Sequence, residues 1–254
     1  MSKGNQMERA KALAVTFLHL PMKETKFSPI VVQHPFFESA FLYDKEGIFN
    51  ALEDEARHNE YIRRFAENGI GACEDIKSLL SLIRKSYRLV FLLYMRDKKI
   101  VSTKEAGDLL AEQWSLIENL SHDANVSKRT VLSWIKMADK TALMDEEELR
   151  QYNDLPDIVT VYRGCRVQKA MKGMSWTMSE EKARWFAERL ALLSGGKRGT
   201  GPMVYRAKIR REDVIGYLAG RDEEEVIVDY RKLFDVELCD KGADADLCEC
   251  EKGA

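Results

Sequence analysis

Between Asp44 and Tyr152 the apolar positions recur at three- and four-residue steps, which gathers side chains on one face of a helix. From Glu74 onward, Ile76, Leu79, Leu80, Ile83, Tyr87 and Val90 form one such stripe. The stretch YDKEGIFNALEDEARHNEYIRRFAENG, from Tyr43, reads as a helix closed by Gly69 at its C-cap. Ser102 and Glu105 form a capping-box pair ahead of Leu109, Leu110 and Trp114. Ser127, Lys128 and Arg129 open a further helix. Its Val131, Leu132, Trp134 and Ile135 leave little polar face for reading DNA, so an ordinary bundle helix is expected. ALAVTFLHL near the N-terminus lacks a strongly basic lead and a cleavage pattern, and reads as core. FSPIVVQHPFF fits a strand or an ordered loop.

After Asp154-Leu155-Pro156 the rhythm shortens. IVTVYRG, MVYRAKI, EVIVDY and LFDVEL are brief, rich in β-branched residues and separated by Gly, Pro or charged turns. One helix interrupts them, EEKARWFAERLALL, with Ser179 as its cap and acidic residues in its first turn. Trp176, Trp185 and Phe186 read as core. The pattern predicts an α+β protein: a mainly helical region over 1–152, a compact mixed unit over 153–240 and a flexible tail over 241–254.

Composition adds little to this picture. The 254 residues are 45% hydrophobic and 32% charged with a formal net charge of -2, so no general attraction to nucleic acid or membrane is expected. LVFLLYM, the longest apolar run, is far shorter than the roughly 18 residues of a membrane span. A cytoplasmic protein is the expectation. The five cysteines imply no disulfide framework, and Cys239, Cys248 and Cys250 do not follow a zinc-ligand spacing, so no metal is expected. Lys197, Arg198, Arg206, Lys208, Arg210 and Arg211 crowd one stretch, read as a solvated edge in preference to an RNA-binding surface.

Candidate chemistry collects in the second half. Arg163 ends a β-rich run and precedes Gly164; a guanidinium held on a strand can grip phosphate, and glycine admits a ligand to the backbone. Ser175 and Thr177 alternate along SWT, so their hydroxyls share a face. In GRDEEEVIVDY, EVIV read as a strand puts Glu223 and Glu225 on one face while Glu224 points away. Such carboxylates repel each other, and one of them can stabilise positive charge developing on a sugar carbon.

The order YRG, SWT followed by ARWFA, then EEEVIV resembles the ADP-ribosyltransferase superfamily, and within it the R-S-E class of arginine-modifying toxins and their bacterial and phage relatives. The resemblance spans Asp157 to Leu238. It implies a split β-sandwich core and mono-ADP-ribosylation of a protein, with NAD as substrate, release of nicotinamide, and arginine as the acceptor. By the same resemblance Arg163 holds the NAD phosphates and Gly164 meets the nicotinamide carboxamide. Ser175 and Thr177 orient the catalytic Glu225, and Tyr162 of YRG counts with the cofactor-binding residues. Glu223 faces the target guanidinium, and Tyr217, in the loop before the pair, touches target or nicotinamide. The middle residue of the family's Ser-Thr-Ser is Trp176 here. The implied partners are NAD and a target protein, with neither membrane nor nucleic acid. NAD hydrolysis and a non-catalytic binding module on the same fold are the competing expectations.

Overall fold

The protein is described by a computed structural model over residues 3–26, 28–116, 125–192, 201–220 and 224–241. It falls into two units, Met1–Ala138 and Asp139–Ala254.

In the first unit α1 (Lys3–Leu18) turns Ala10, Ala14, Phe17 and Leu18 inward, as its apolar pattern predicts. The ambiguous segment that follows is a strand: β1 (Lys23–Thr25) pairs with β2 (Ser28–Gln33). A second hairpin, β3 (Phe41–Asp44) with β4 (Gly47–Asn50), occupies the start of the helix expected from Tyr43. Its turn explains the difference. Gly47 has φ +106, which side chains rarely adopt, and the Asp44 carboxylate accepts from Glu46 N–H and from the Arg57 guanidinium. The helix starts only at α2 (Glu55–Phe65), where Asp54 caps Arg57 N–H. It then runs past Gly69 as a π-helical turn, Ala66–Ile70, instead of stopping there.

The stripe expected as one helix is two, α3 (Ile76–Leu82) and α4 (Lys85–Asp97), parted by extended backbone at Ile83 and Arg84. Arg84 accounts for the break: its guanidinium donates to the carbonyls of Val32 and Phe37, 3.2 Å each. α5 (Thr103–Glu112) opens on the predicted Ser102–Glu105 capping box. α6 (Lys128–Ile135) opens on Ser127 and buries Val131, Leu132, Trp134 and Ile135. Gly107 lets these two helices close: a Cβ there would stand 2.3 Å from the Trp134 carbonyl oxygen.

The second unit begins at Asp139, so it takes in two helices that the sequence pattern assigned to the first region. They are α7 (Lys140–Leu143) and α8 (Glu146–Asn153). Then come β5 (Ile158–Cys165), β6 (Ser175–Thr177), α9 (Glu180–Leu192), β7 (Met203–Arg210), β8 (Val214–Leu218), β9 (Glu225–Val228) and β10 (Phe234–Lys241). The strands make a six-stranded sheet in the order β10-β7-β5-β6-β9-β8, antiparallel throughout. Strand alternation buries Val159, Val161 and Cys165 of β5 with Ala207 and Ile209 of β7 on one face. On the other face Ala183 and Ala187 of α9 pack with Val204 and Tyr162. Ser179 caps α9 as expected, accepting from Lys182 N–H at 3.2 Å. Trp176 is core, whereas Trp185 is 49% exposed, because α9 turns Ala183 and Ala187 to the sheet instead.

The basic stretch is mostly neutralised at its described end: Arg206 pairs with Glu237, Lys208 with Asp235 and Arg210 with Glu212. Lys197 and Arg198 lie outside the described residues, as do Cys248, Cys250 and the tail beyond Lys241. Among the described residues no helix is long and apolar enough to cross a membrane, and no cluster of His, Cys, Asp or Glu is arranged to hold a metal.

Candidate active site

β5, β6 and β9 are remote in sequence and adjacent in the sheet. Register fixes a row across them. Tyr162 stands opposite Thr177, Thr177 opposite Glu225, and Glu225 opposite Leu218 of β8. Directly opposed residues share a face, so Thr177 and Glu225 project to the same side. Ser175, two residues along β6, shares it and stands opposite Ile227. β5 pairs with β7 along its whole length but with β6 only through the Tyr162–Thr177 couple. The chain from Cys165 to Ser175 connects the two strands, β5 and β6.

Arg163 follows Tyr162 on β5, opposite Tyr205 of β7. Alternation starts its side chain on the face opposite Tyr162, and its guanidinium reaches the main chain of the returning segment. Nε donates to the Ala170 carbonyl at 2.9 Å and Nη1 to the Ser175 carbonyl. Arg163 and Ser175 thus meet through the Ser175 backbone, leaving the Ser175 hydroxyl to the Glu225 face. The hydrogen-bond acceptors of Arg163 are two neutral main-chain carbonyls. Burial pushes its pKa down from the usual value, and nearby Cys165 and Glu225 pull it back up. Burial also raises the Cys165 thiol, to about 11, which keeps it neutral.

Gly173 is the residue that sequence reasoning passed over. Its backbone is in an ordinary extended conformation, φ -77 and ψ 167, so glycine is not needed for the turn. It is needed for space: a Cβ would lie 2.2 Å from Arg163 Nη2 and 2.3 Å from Cζ. Its N–H donates to the Ala170 carbonyl at 3.2 Å, and its own carbonyl accepts from Trp176 Nε1 at 3.2 Å. Trp176, the departure within SWT, therefore anchors the wall against which Arg163 lies. The only sequence signal was a glycine two residues ahead of Ser175.

Gly164 has a packing role as well. A Cβ there would stand 1.9 Å from the Ala183 carbonyl oxygen and 2.6 Å from Ala187 N, so the missing side chain admits α9 to β5. Thr177 is buried, and its hydroxyl accepts from Ser179 N–H at 3.1 Å, fixing the entry to α9. Tyr217 is on strand β8 rather than in the loop expected to carry it. It is 7% exposed and opposite Val226, and burial raises its phenol pKa. The alternation argument for the glutamates also needs correction. β9 starts at Glu225, and Glu224 has φ +44, outside strand geometry, with its carbonyl accepting from Met178 N–H. Glu223 lies outside the described residues. No protein-family model matches the sequence, and comparison with curated proteins and with solved structures finds no match.

Proposed function

We propose that the second unit is an NAD-dependent mono-ADP-ribosyltransferase acting on a protein side chain, with arginine as the preferred acceptor. The observation that supports this reading is the sheet order, which makes neighbours of the strands bearing Arg163, Ser175-Thr177 and Glu225. Three residue types separated in the chain, one cationic, one hydroxylic and one anionic, thus stand on neighbouring strands.

Each has a task that its surroundings suit. Arg163, held by two backbone carbonyls, keeps its charge for the substrate's phosphates. Glu225 supplies a fixed anion beside the ribose carbon, which gains positive charge as its bond to nicotinamide breaks. A preorganised carboxylate stabilises that charge more than mobile water does. Thr177 holds the row on which Glu225 stands, and the Ser175 hydroxyl shares its face. A guanidine nitrogen of the acceptor forms the new bond to the ribose carbon and releases a proton; nicotinamide leaves with the electron pair of the old bond.

The test is turnover of labelled NAD with a guanidino acceptor and with cell lysate. Wild type is expected to release nicotinamide and to label acceptor. Glu225→Gln should lose about a hundredfold or more in rate, the scale of removing one preorganised charge partner. Free ADP-ribose without labelled acceptor would redirect the reading to hydrolysis. A wild type that leaves NAD intact, or a Glu225→Gln variant of equal activity, overturns it.

A further inference from the structure

The connection from β5 to β6 carries charge of one sign. Between Asp157 and Glu180 the chain holds Arg163, Arg166, Lys169 and Lys172 and no acidic residue, in a protein whose formal net charge is -2. Arg163 turns inward, whereas Arg166, Lys169 and Lys172 are exposed. The other basic stretch of this unit, on β7, is neutralised through space, with Arg206 against Glu237 and Lys208 against Asp235. Arg166 and Lys169 have no such counterpart: among the described residues neither enters an ion pair.

The backbone beneath these side chains is held from within. Ala170 N–H donates to the Val167 carbonyl at 2.9 Å and Gly173 N–H to the Ala170 carbonyl at 3.2 Å, around a 3-10 turn over Gln168–Lys172. The Arg163 guanidinium donates to the carbonyls of Ala170 and Ser175. Val228 N–H donates to the Met174 carbonyl at 2.8 Å, which ties the end of the segment to β9, and the Met174 side chain is fully buried. In a 3-10 helix, residues three apart eclipse each other with a rise of about 2 Å per residue. Lys169 and Lys172 therefore stand in one line, about 6 Å apart along the turn.

That spacing decides which polyanion fits. Side chains on one face of an extended peptide repeat every second residue, about 6.7 Å, so alternate acidic residues match the lysine row. Surfaces that take single-stranded nucleic acid add aromatic rings on which the bases stack. Nothing from Arg166 to Ser175 is aromatic, and Trp176 is buried. We propose that the β5–β6 connection docks an extended acidic segment of a partner protein on Arg166, Lys169 and Lys172. Because the backbone is already fixed, only the basic side chains are ordered on binding, which lowers its entropic cost. Neither NAD nor Glu225 takes part in this contact, so it is independent of the transferase reading.

Fluorescence anisotropy with the full chain, in the absence of NAD, tests it with three labelled probes. One is a peptide of alternating Asp and Ser. Another has the same number of Asp residues at every third position, which sends successive carboxylates to opposite faces of an extended chain. The last is oligo-dT of the same charge. The alternating peptide should bind best and weaken as salt rises. Arg166→Gln combined with Lys169→Gln should weaken it about fivefold or more, the scale of two exposed ion pairs. Lys208→Gln combined with Arg210→Gln removes the same charge from cations that already have partners, and should bind as wild type does. Absence of binding at low salt, or an equal loss in the Lys208 and Arg210 double variant, overturns the proposal. Equal affinity for the two peptides, or tighter binding of oligo-dT, overturns it as well.

Discussion

Gly173 shows how a site can depend on an atom that is missing. The Arg163 guanidinium occupies the space of its absent side chain, and the backbone there is one that alanine adopts without strain. Gly173→Ala should therefore displace the guanidinium while costing little stability. On the transferase reading the KM for NAD rises roughly tenfold or more, the value of one charge-assisted hydrogen bond, with Tm within a few degrees of wild type. A normal KM would show that Arg163 does not need this position. Arg163 itself was legible in the sequence, because an arginine ending a β-rich run before glycine is a recognisable arrangement. Gly173 was not, since its role comes from a side chain ten positions earlier that only the folded chain brings back to it.

Among the elements, β5 and α9 depend most visibly on one residue. Their contact has no room for a Cβ at Gly164, because the obstructing atoms are helix backbone and cannot rotate away. Gly164→Ala should destabilise the second unit by about 3 kcal/mol, the upper range of overpacking. Urea unfolding followed by near-UV circular dichroism would measure it, and a loss under about 1 kcal/mol, the low end of that range, would show that α9 shifts freely. Caps and alternation were readable at this scale: Ser102–Glu105, Ser127 and Ser179 each open the expected helix. Breaks were harder to see. The α3–α4 stripe keeps its apolar spacing across Ile83 and Arg84, and the interruption comes from Arg84 binding the carbonyls of Val32 and Phe37. The β3–β4 turn likewise depends on Arg57, beyond the hairpin it secures. β8 carries Tyr217 as a buried strand residue because α7 and α8 cover its edge, which local propensity cannot register.

For the molecule as a whole, pH acts on stability through the first unit. His34 is 1% exposed and stacked on Phe37 with ring centres 4.7 Å apart. With its Nε2 bearing the proton, it donates to the Leu18 carbonyl, while Nδ1 accepts from Phe36 and Phe37 N–H. Both nitrogens are committed to the neutral ring, and burial lowers its pKa from 6.5 to about 4. The unfolded chain takes up this proton first as pH falls. Stability from His34 is thus complete above about pH 6.5 and is lost progressively down to about pH 4, a loss on the order of 3 kcal/mol. Urea unfolding of the whole protein across that range should show this decline, and a His34 resonance titrating near 6.5 would refute its cause. What the sequence by itself determined is the material: helical and strand periodicities, caps, the change of rhythm near Pro156, and the residue types of the proposed site. Only the tertiary structure decided that the second unit starts at Asp139, that β5, β6 and β9 lie side by side, and that Tyr152 of α8 reaches the β8 backbone at Val214. Periodicity is a property of neighbours along the chain. Strand order, edge protection and close approach depend on partners far apart in sequence, and those are chosen when the whole unit buries its apolar faces at once.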